Sequence, residues 1–172
     1  MLGVRLANRQ EDADGVAQLH RRVARISQGI AHTEAELTDA YFAGLFDTVE
    51  RRGLMLVAVD EAEQVMAEIH ASKSSIHIFE HNLVDLTIVV DPDWQEKGIG
   101  KGLLWAFLSE VQRRFPEVRR VELESRSSNQ ASIGLYKSVG FVEEGRMRGK
   151  TRNADGSFED SLLMAWYKPQ TD

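Results

Sequence analysis

Residues Leu83 to Val111, reading LVDLTIVVDPDWQEKGIGKGLLWAFLSEV, restrict what this chain can fold into more than any other stretch. Leu86-Thr87-Ile88-Val89-Val90 is a short apolar run rich in β-branched residues, which suit a pleated, buried strand. Asp91-Pro92-Asp93 ends it, because proline fixes φ and has no N–H for a ladder. A glycine-rich loop, Gln95 to Gly102, comes next. Leu103, Leu104, Phe107, Leu108 and Val111 then recur on one face of a helix. Arg113 and Arg114 lie in its last turn, where the helix dipole favours cations, and Pro116 marks its end. The order strand, glycine loop, helix start places free N–H groups and partial positive charge around one point. That is an anion site, most naturally for phosphate. Lys97 and Lys101 add charge to it.

Two common nucleotide loops do not fit. A Walker loop needs GxxxxGK[ST], and none is present. A dinucleotide fingerprint needs GxGxxG directly after the strand, with an acid about twenty residues on. Here Gly98, Gly100 and Gly102 give GxGxG, and the seven residues Asp91 to Lys97 stand between strand and first glycine. An NAD-binding oxidoreductase is therefore ranked last.

Composition narrows the remaining classes. A chain of 172 residues with 42% hydrophobic and 28% charged residues reads as one globular domain, 1–172, with a sizeable core. A net charge of −6 predicts no general affinity for nucleic acid and is compatible with a cationic partner. The absence of cysteine excludes disulfides, thiolate metal sites and a cysteine nucleophile. There is no apolar run of membrane-spanning length and no apolar leader, so the expectation is a cytoplasmic protein without membrane contact.

The chain in order supports an α/β (α+β) fold with a mixed, largely antiparallel sheet. Val4-Arg5-Leu6 reads as a first strand. Glu11 to about Ile26 reads as a helix with Val16, Leu19, His20 and Val23 as its stripe. Ser27 to His32 reads as a loop. Thr33 and Glu36 match a capping box, which predicts a second helix carrying Leu37, Tyr41, Leu45 and Phe46. Leu54–Val59 and Val65–Ala71 suggest an antiparallel hairpin, which argues against a doubly wound fold. Ser72–Asn82 reads as a loop or as extensions of its flanking strands. Its His77 and His81, four apart, are a conceivable metal pair beside Glu68, His70 and Glu80. No known ligand pattern supports them, and no metal is expected. A strand follows at Val118–Ser125 with Val121, Leu123 and Ser125 on one side. Ser127-Ser128-Asn129 caps a helix Gln130–Val139, and Gly140 closes it. Asp155-Gly156 is a turn before a last strand, Ser161–Tyr167.

Gln95-x-x-Gly98-x-Gly100, after a strand ending Val90-Asp91-Pro92, resembles the acetyl-CoA loop of the GNAT superfamily of N-acetyltransferases. A second segment, NQASIGLYKSVGF from Asn129 to Phe141, also resembles that family. It has an asparagine at a helix start, Leu-Tyr further on and Gly-Phe at the helix end. The two motifs stand in the family's order and cover roughly Leu83 to Phe141.

The resemblance implies a GNAT-like acyl-CoA N-acyltransferase fold with acetyl-CoA as co-substrate. It implies that the main chain of Ile88, Val89 and Val90 pairs with the pantetheine arm. The pyrophosphate would rest on the amides of Glu96, Lys97, Gly98, Ile99, Gly100 and Lys101, with Gln95 at a position that is Gln or Arg in the family. Asn129 would contact the cofactor arm, cap its helix, or do both. Tyr136 would be the acid that protonates the leaving thiolate. Glu124, five residues before Asn129, is similar to the general base of ribosomal-protein alanine N-acetyltransferases. Its bland alternative is a salt-bridged strand residue paired with Arg126 or Arg148. Some relatives carry a base further upstream on the fourth strand. Here Val84 and Leu86 are apolar and Asp85 has the opposite parity, so Glu68, Asp85 or a water relay also stays open. The acceptor is a small-molecule amine or a peptide or protein amine. A homodimer stays open, as does a sensor that binds acyl-CoA without turnover.

Overall fold

A computed structural model of the chain describes residues 3–26 and 30–169. In chain order the elements are β1 (Gly3–Leu6), α1 (Arg9–Ala24), α2 (Asp39–Arg52), β2 (Gly53–Val59), β3 (Val65–Lys73), β4 (Asn82–Val90), α3 (Ile99–Arg114), β5 (Arg120–Arg126), α4 (Gln130–Ser138), β6 (Val142–Arg152) and β7 (Phe158–Tyr167). The seven strands form one sheet in the order β1-β2-β3-β4-β5-β7-β6. Every neighbouring pair is antiparallel except β4 and β5. That single parallel step is bridged by α3, as a crossover requires. The mixed, largely antiparallel sheet flanked by helices expected from the sequence is the architecture found.

Strand alternation sorts the interior into two layers. Leu54, Leu56 and Ala58 of β2 face one way, with Ala67, Ile69 and Ala71 of β3. They pack with Leu103, Leu104, Phe107, Leu108 and Val111 of α3 and Ile133 and Tyr136 of α4. Met55, Val57 and Val59 face the other way, against Val16, Leu19 and Val23 of α1 and Phe42 and Phe46 of α2. The helical stripe of α3 is buried as its spacing predicts. Gly140 takes φ +99°, the left-handed conformation that ends α4. No helix among the described residues is long and apolar enough to cross a membrane.

Several boundaries differ from those expected. Thr33 and Glu36 do form a capping box, but it closes only the short 3₁₀ turn Glu34–Glu36. The cap of α2 is Thr38, whose side chain accepts from the Tyr41 N–H. Leu37 lies between the two as a buried plug outside the helix, and Phe42 with Phe46, rather than Tyr41 with Leu45, fills the core. The periodicity that fits Leu37 into the helix is met by a chain that turns before starting it. Ser72–Asn82 divides into a longer β3, a 3₁₀ turn at His77–Phe79 and an earlier start to β4. Of the loop expected at Ser27–His32, Ser27, Gln28 and Gly29 lie outside the described residues.

Phe107 is fully buried where α3 meets the sheet. Phe107→Ala is expected to lower unfolding stability by about 3–5 kcal/mol, read as a fall in the urea midpoint at constant m-value.

Candidate active site

β4 and β5 pair at only two positions, Asn82 with Arg120 and Leu83 with Val121. Beyond Leu83 the two strands part, and the rest of β4 presents one edge to a gap. On its other edge β4 pairs with β3, Val89 opposite Glu68 and Ile88 opposite Ile69. The Asp91 N–H donates to the Met66 carbonyl, so the alternate residue Val89 also turns its main chain to β3. Ile88 and Val90 therefore turn theirs to the gap. The Val90 carbonyl accepts from the Gln95 side-chain amide at 3.0 Å. Val89 was grouped with these two in the sequence. Its main chain belongs to the β3 ladder and its side chain to the α1–α2 core.

The glycine loop closes the open end of this gap. Glu96 and Gly98 take φ of +60° and +78°, which wraps the chain before α3 begins. The first intrahelical bond runs from the Gly102 N–H to the Gly98 carbonyl, leaving the N–H groups of Ile99, Gly100 and Lys101 free of helical partners. A cavity of about 400 Å³ lies there, between the loop, β4 and α4. It is lined by Ile88, Val90, Gln95, Glu96, Gly98, Gly100, Lys101 and Asn129. Two members of the expected set turn their side chains elsewhere, which leaves the expectation for their main-chain amides untouched. Lys97 donates to the Asp93 carbonyl at 2.7 Å and lies over the Trp94 ring. The Ile99 side chain packs against the core of the α3 layer. Arg22 of α1 braces the approach to the loop through Asp91 at 2.9 Å and Asp93 at 2.6 Å.

Asn129 caps α4 by accepting from the Ser132 N–H at 3.2 Å, while also lining the cavity. Both roles weighed for it are compatible. Tyr136 is buried beside Phe141, 5.7 Å between ring centroids, and does not line the cavity. Burial pushes its phenol up to about 12, so it holds its proton at neutral pH. Glu124 projects from the other side of β5, where it is exposed and paired with Lys150 at 2.5 Å. Its partner is thus neither Arg126 nor Arg148.

A second cluster was not legible as a unit in the sequence. Glu68 on β3 accepts from His20 Nε2 of α1 at 2.8 Å and from His70 Nδ1 at 2.7 Å. Glu68 is fully buried, His20 is 1% exposed and His70 7%. An ionised carboxylate only accepts, so both imidazoles are donors in this arrangement. Burial alone would raise the Glu68 carboxyl. The hydrogen bonds from His70 and His20, with the positive charge either ring carries when protonated, overturn that and hold it below the usual carboxylate range. His70 also lines a cavity of about 300 Å³ with Tyr41 and Leu45 of α2 and Asp85 of β4.

Asp85 reaches that cavity because of a β-bulge. Its φ is +58° and the β3–β4 register slips between His70 and Ser72. Leu83 and Leu86, three apart, therefore both face the α3 layer. The opposite parity to Val84 and Leu86 read for Asp85 in the sequence rests on strict alternation, which does not hold across an inserted residue. For a metal, His20, Glu68 and His70 are the one sufficiently compact donor set among the described residues, and their facing atoms are spent on one another. His77 pairs with Glu80, at an exposed turn.

The model of the acetyltransferase (GNAT) family matches residues 25–141. The chain belongs to the GNAT family. A 78-residue stretch is 42% identical to the [ribosomal protein bS18]-alanine N-acetyltransferase of Escherichia coli K12, covering 45% of this chain and 51% of that protein. The chain thus spans about half the length of these curated relatives. Over 141 residues it is 32% identical to an L-methionine sulfoximine/L-methionine sulfone acetyltransferase of Pseudomonas aeruginosa PAO1, covering 77% and 80% of the two chains. A Salmonella typhimurium structure solved with its cofactor acetyl-CoA shares the fold at TM-score 0.86 and 19% identity, over 100% of this chain and 96% of that one.

Amide exchange tests the edge assignment. The Val89 amide is expected to exchange more slowly than those of Ile88 and Val90, and added acetyl-CoA is expected to slow the latter two selectively. Equal protection of all three without ligand would refute it.

Proposed function

We propose that this chain transfers the acetyl group of acetyl-CoA to a primary amine, with both substrates bound together. The observation that carries the reading is the meeting of two unsatisfied surfaces at one cavity. One is the gap-facing main chain of Ile88 with the Val90 N–H, the Val90 carbonyl being held by Gln95. The other is the set of free N–H groups at the start of α3. A pantetheine arm carries amides that suit the first, and a pyrophosphate suits the second. Gly98, Ile99, Gly100 and Lys101 hold the pyrophosphate, with Gln95 and Glu96 at the rim. The Asn129 amide nitrogen, which the helix cap does not use, meets the arm.

The amine nitrogen attacks the thioester carbonyl carbon. The N–C bond forms, the C–S bond breaks, and the nitrogen sheds one proton before attack and another as the adduct collapses. Holding both partners in one cleft supplies much of the rate. Tyr136 supplies the proton that the departing thiolate takes, and its burial keeps that proton in place until it is needed. Glu124 receives the proton shed as the adduct collapses, exchanging its Lys150 contact for the reacting nitrogen. Support for an amine acceptor comes from the relatives, one named for a ribosomal-protein alanine and one for methionine derivatives.

Free-thiol release from acetyl-CoA against pooled amino acids, polyamines and short peptides tests the reaction. Tyr136→Phe is expected to lower kcat about 10²-fold with acetyl-CoA affinity unchanged. In the parent protein the rate is expected not to fall on the alkaline side below about pH 10, because the phenol titrates above that. Thermal stabilisation by acetyl-CoA with no thiol release from any pool would favour a sensor. Neither response would overturn the reading.

A further inference from the structure

We propose that His70 takes the first proton from the acceptor's ammonium group in the cavity under α2, with Glu68 and His20 as positioning residues behind it. This inference rests on the acetyl-transfer reading and assigns it an acceptor subsite and a proton path.

The placement follows from the sheet. The gap between β4 and β5 opens after Leu83, and the pyrophosphate cavity lies at its far end, beside Val90. An arm laid along β4 from Val90 toward the bulge at Asp85 covers about 17 Å, taking ~3.3 Å per residue. The cavity of His70 and Asp85 lies at that bulge, on the face covered by α2. An acceptor held there meets the acyl end of the cofactor rather than its phosphates.

The chemistry follows from the hydrogen bonds. His70 Nδ1 is spent on Glu68, so Nε2 is the ring nitrogen left for the cavity. With Nδ1 protonated, Nε2 carries the lone pair. A buried carboxylate behind the ring fixes that tautomer and stabilises the imidazolium that forms. Glu68 is itself anchored through its second oxygen by His20, which packs edge-on to Phe42 with 5.5 Å between ring centroids. The titratable groups around His70 are Glu68 on its own strand, His20 from α1, Tyr41 from α2 and Asp85 from β4. Asp85 and Glu68 favour a cation, and neither competes with His70 for the lone-pair role. Glu68 is sealed from the cavity, and Asp85 draws the ammonium in. Leu45 and Val49 give the cavity an apolar wall, which suits the alkyl stem of a primary amine.

The step balances as a proton transfer. The ammonium becomes a neutral amine with a free lone pair, and His70 becomes an imidazolium that later releases its proton to water. Glu124, across the gap, keeps its separate task of receiving the proton lost after attack.

The test compares the full-length protein with His70→Gln and Glu68→Gln. Two probe amines are used, weakly basic glycinamide and strongly basic n-butylamine. His70→Gln is expected to lower kcat/KM for n-butylamine about 10²-fold at neutral pH and that for glycinamide less than tenfold. The variant's kcat/KM is expected to climb with pH as the amine itself deprotonates. Glu68→Gln is expected to weaken the same step with unchanged KM for acetyl-CoA. Equal losses on both amines, or an unchanged pH profile, would overturn the proposal. A measurement on the unaltered protein removes the dependence on variants that fold poorly. Imidazole ¹⁵N NMR is expected to show His70 Nε2 responding to n-butylamine. A silent Nε2, with acetyl-CoA still shifting the Gly98–Lys101 amides, overturns the role of His70 and leaves the transferase. Loss of the acetyl-CoA response overturns the transferase reading instead.

Discussion

The parting of β4 from β5 is the constraint on which the rest of this structure depends. A parallel pair in mid-sheet would ordinarily continue as a ladder. Here it lasts two positions. The remaining main-chain groups of β4 need partners, because an unpaired buried amide or carbonyl costs free energy comparable to a lost hydrogen bond. The Gln95 side chain supplies one partner, at the Val90 carbonyl. The other groups stay open to a ligand. The α3 crossover brings its own unpaired N–H groups to the same opening, so one topological step produces both halves of the cavity.

Much of this was legible because it is local in sequence. The β-branched run, the proline stop, the glycines and the α3 stripe lie within one stretch, and each acts on its immediate neighbours. The Asn129 cap and the Gly140 turn are local in the same way. Features that depend on distant residues were not legible. His20 reads as one more member of a helical stripe, and only the fold sets it against Glu68 and His70 of β3. Asp85 stayed open as a base although strict alternation set it at the opposite parity to Val84 and Leu86; alternation fails at a bulge, and no glycine in β4 announced one. Thr33 carries a genuine capping signal but on a shorter turn. Local hydrogen-bond chemistry fixed the motif there, while packing of Leu37 fixed where the helix starts.

The two faces of the sheet divide the labour. The α3–α4 face holds the larger apolar layer and positions the glycine loop and Tyr136. The α1–α2 face carries, within an apolar layer, the buried Glu68 with its two imidazoles. A carboxylate is tolerated there because both oxygens are satisfied. Arg22 joins the halves: it reaches from α1 to Asp91 and Asp93, just before the loop.

The sheet ends in two outer edges, β1 and β6, and it also contains the open length of β4. Outer edges face solvent and can template another chain's strand, a hazard proteins must manage. The open part of β4 is different. It is flanked by β5, roofed by helices and narrowed to nothing at Leu83. A neighbouring protein's strand cannot reach it broadside, whereas a thin flexible chain can enter endwise. The structure thus keeps strand-pairing capacity available to a small molecule while withholding it from aggregation.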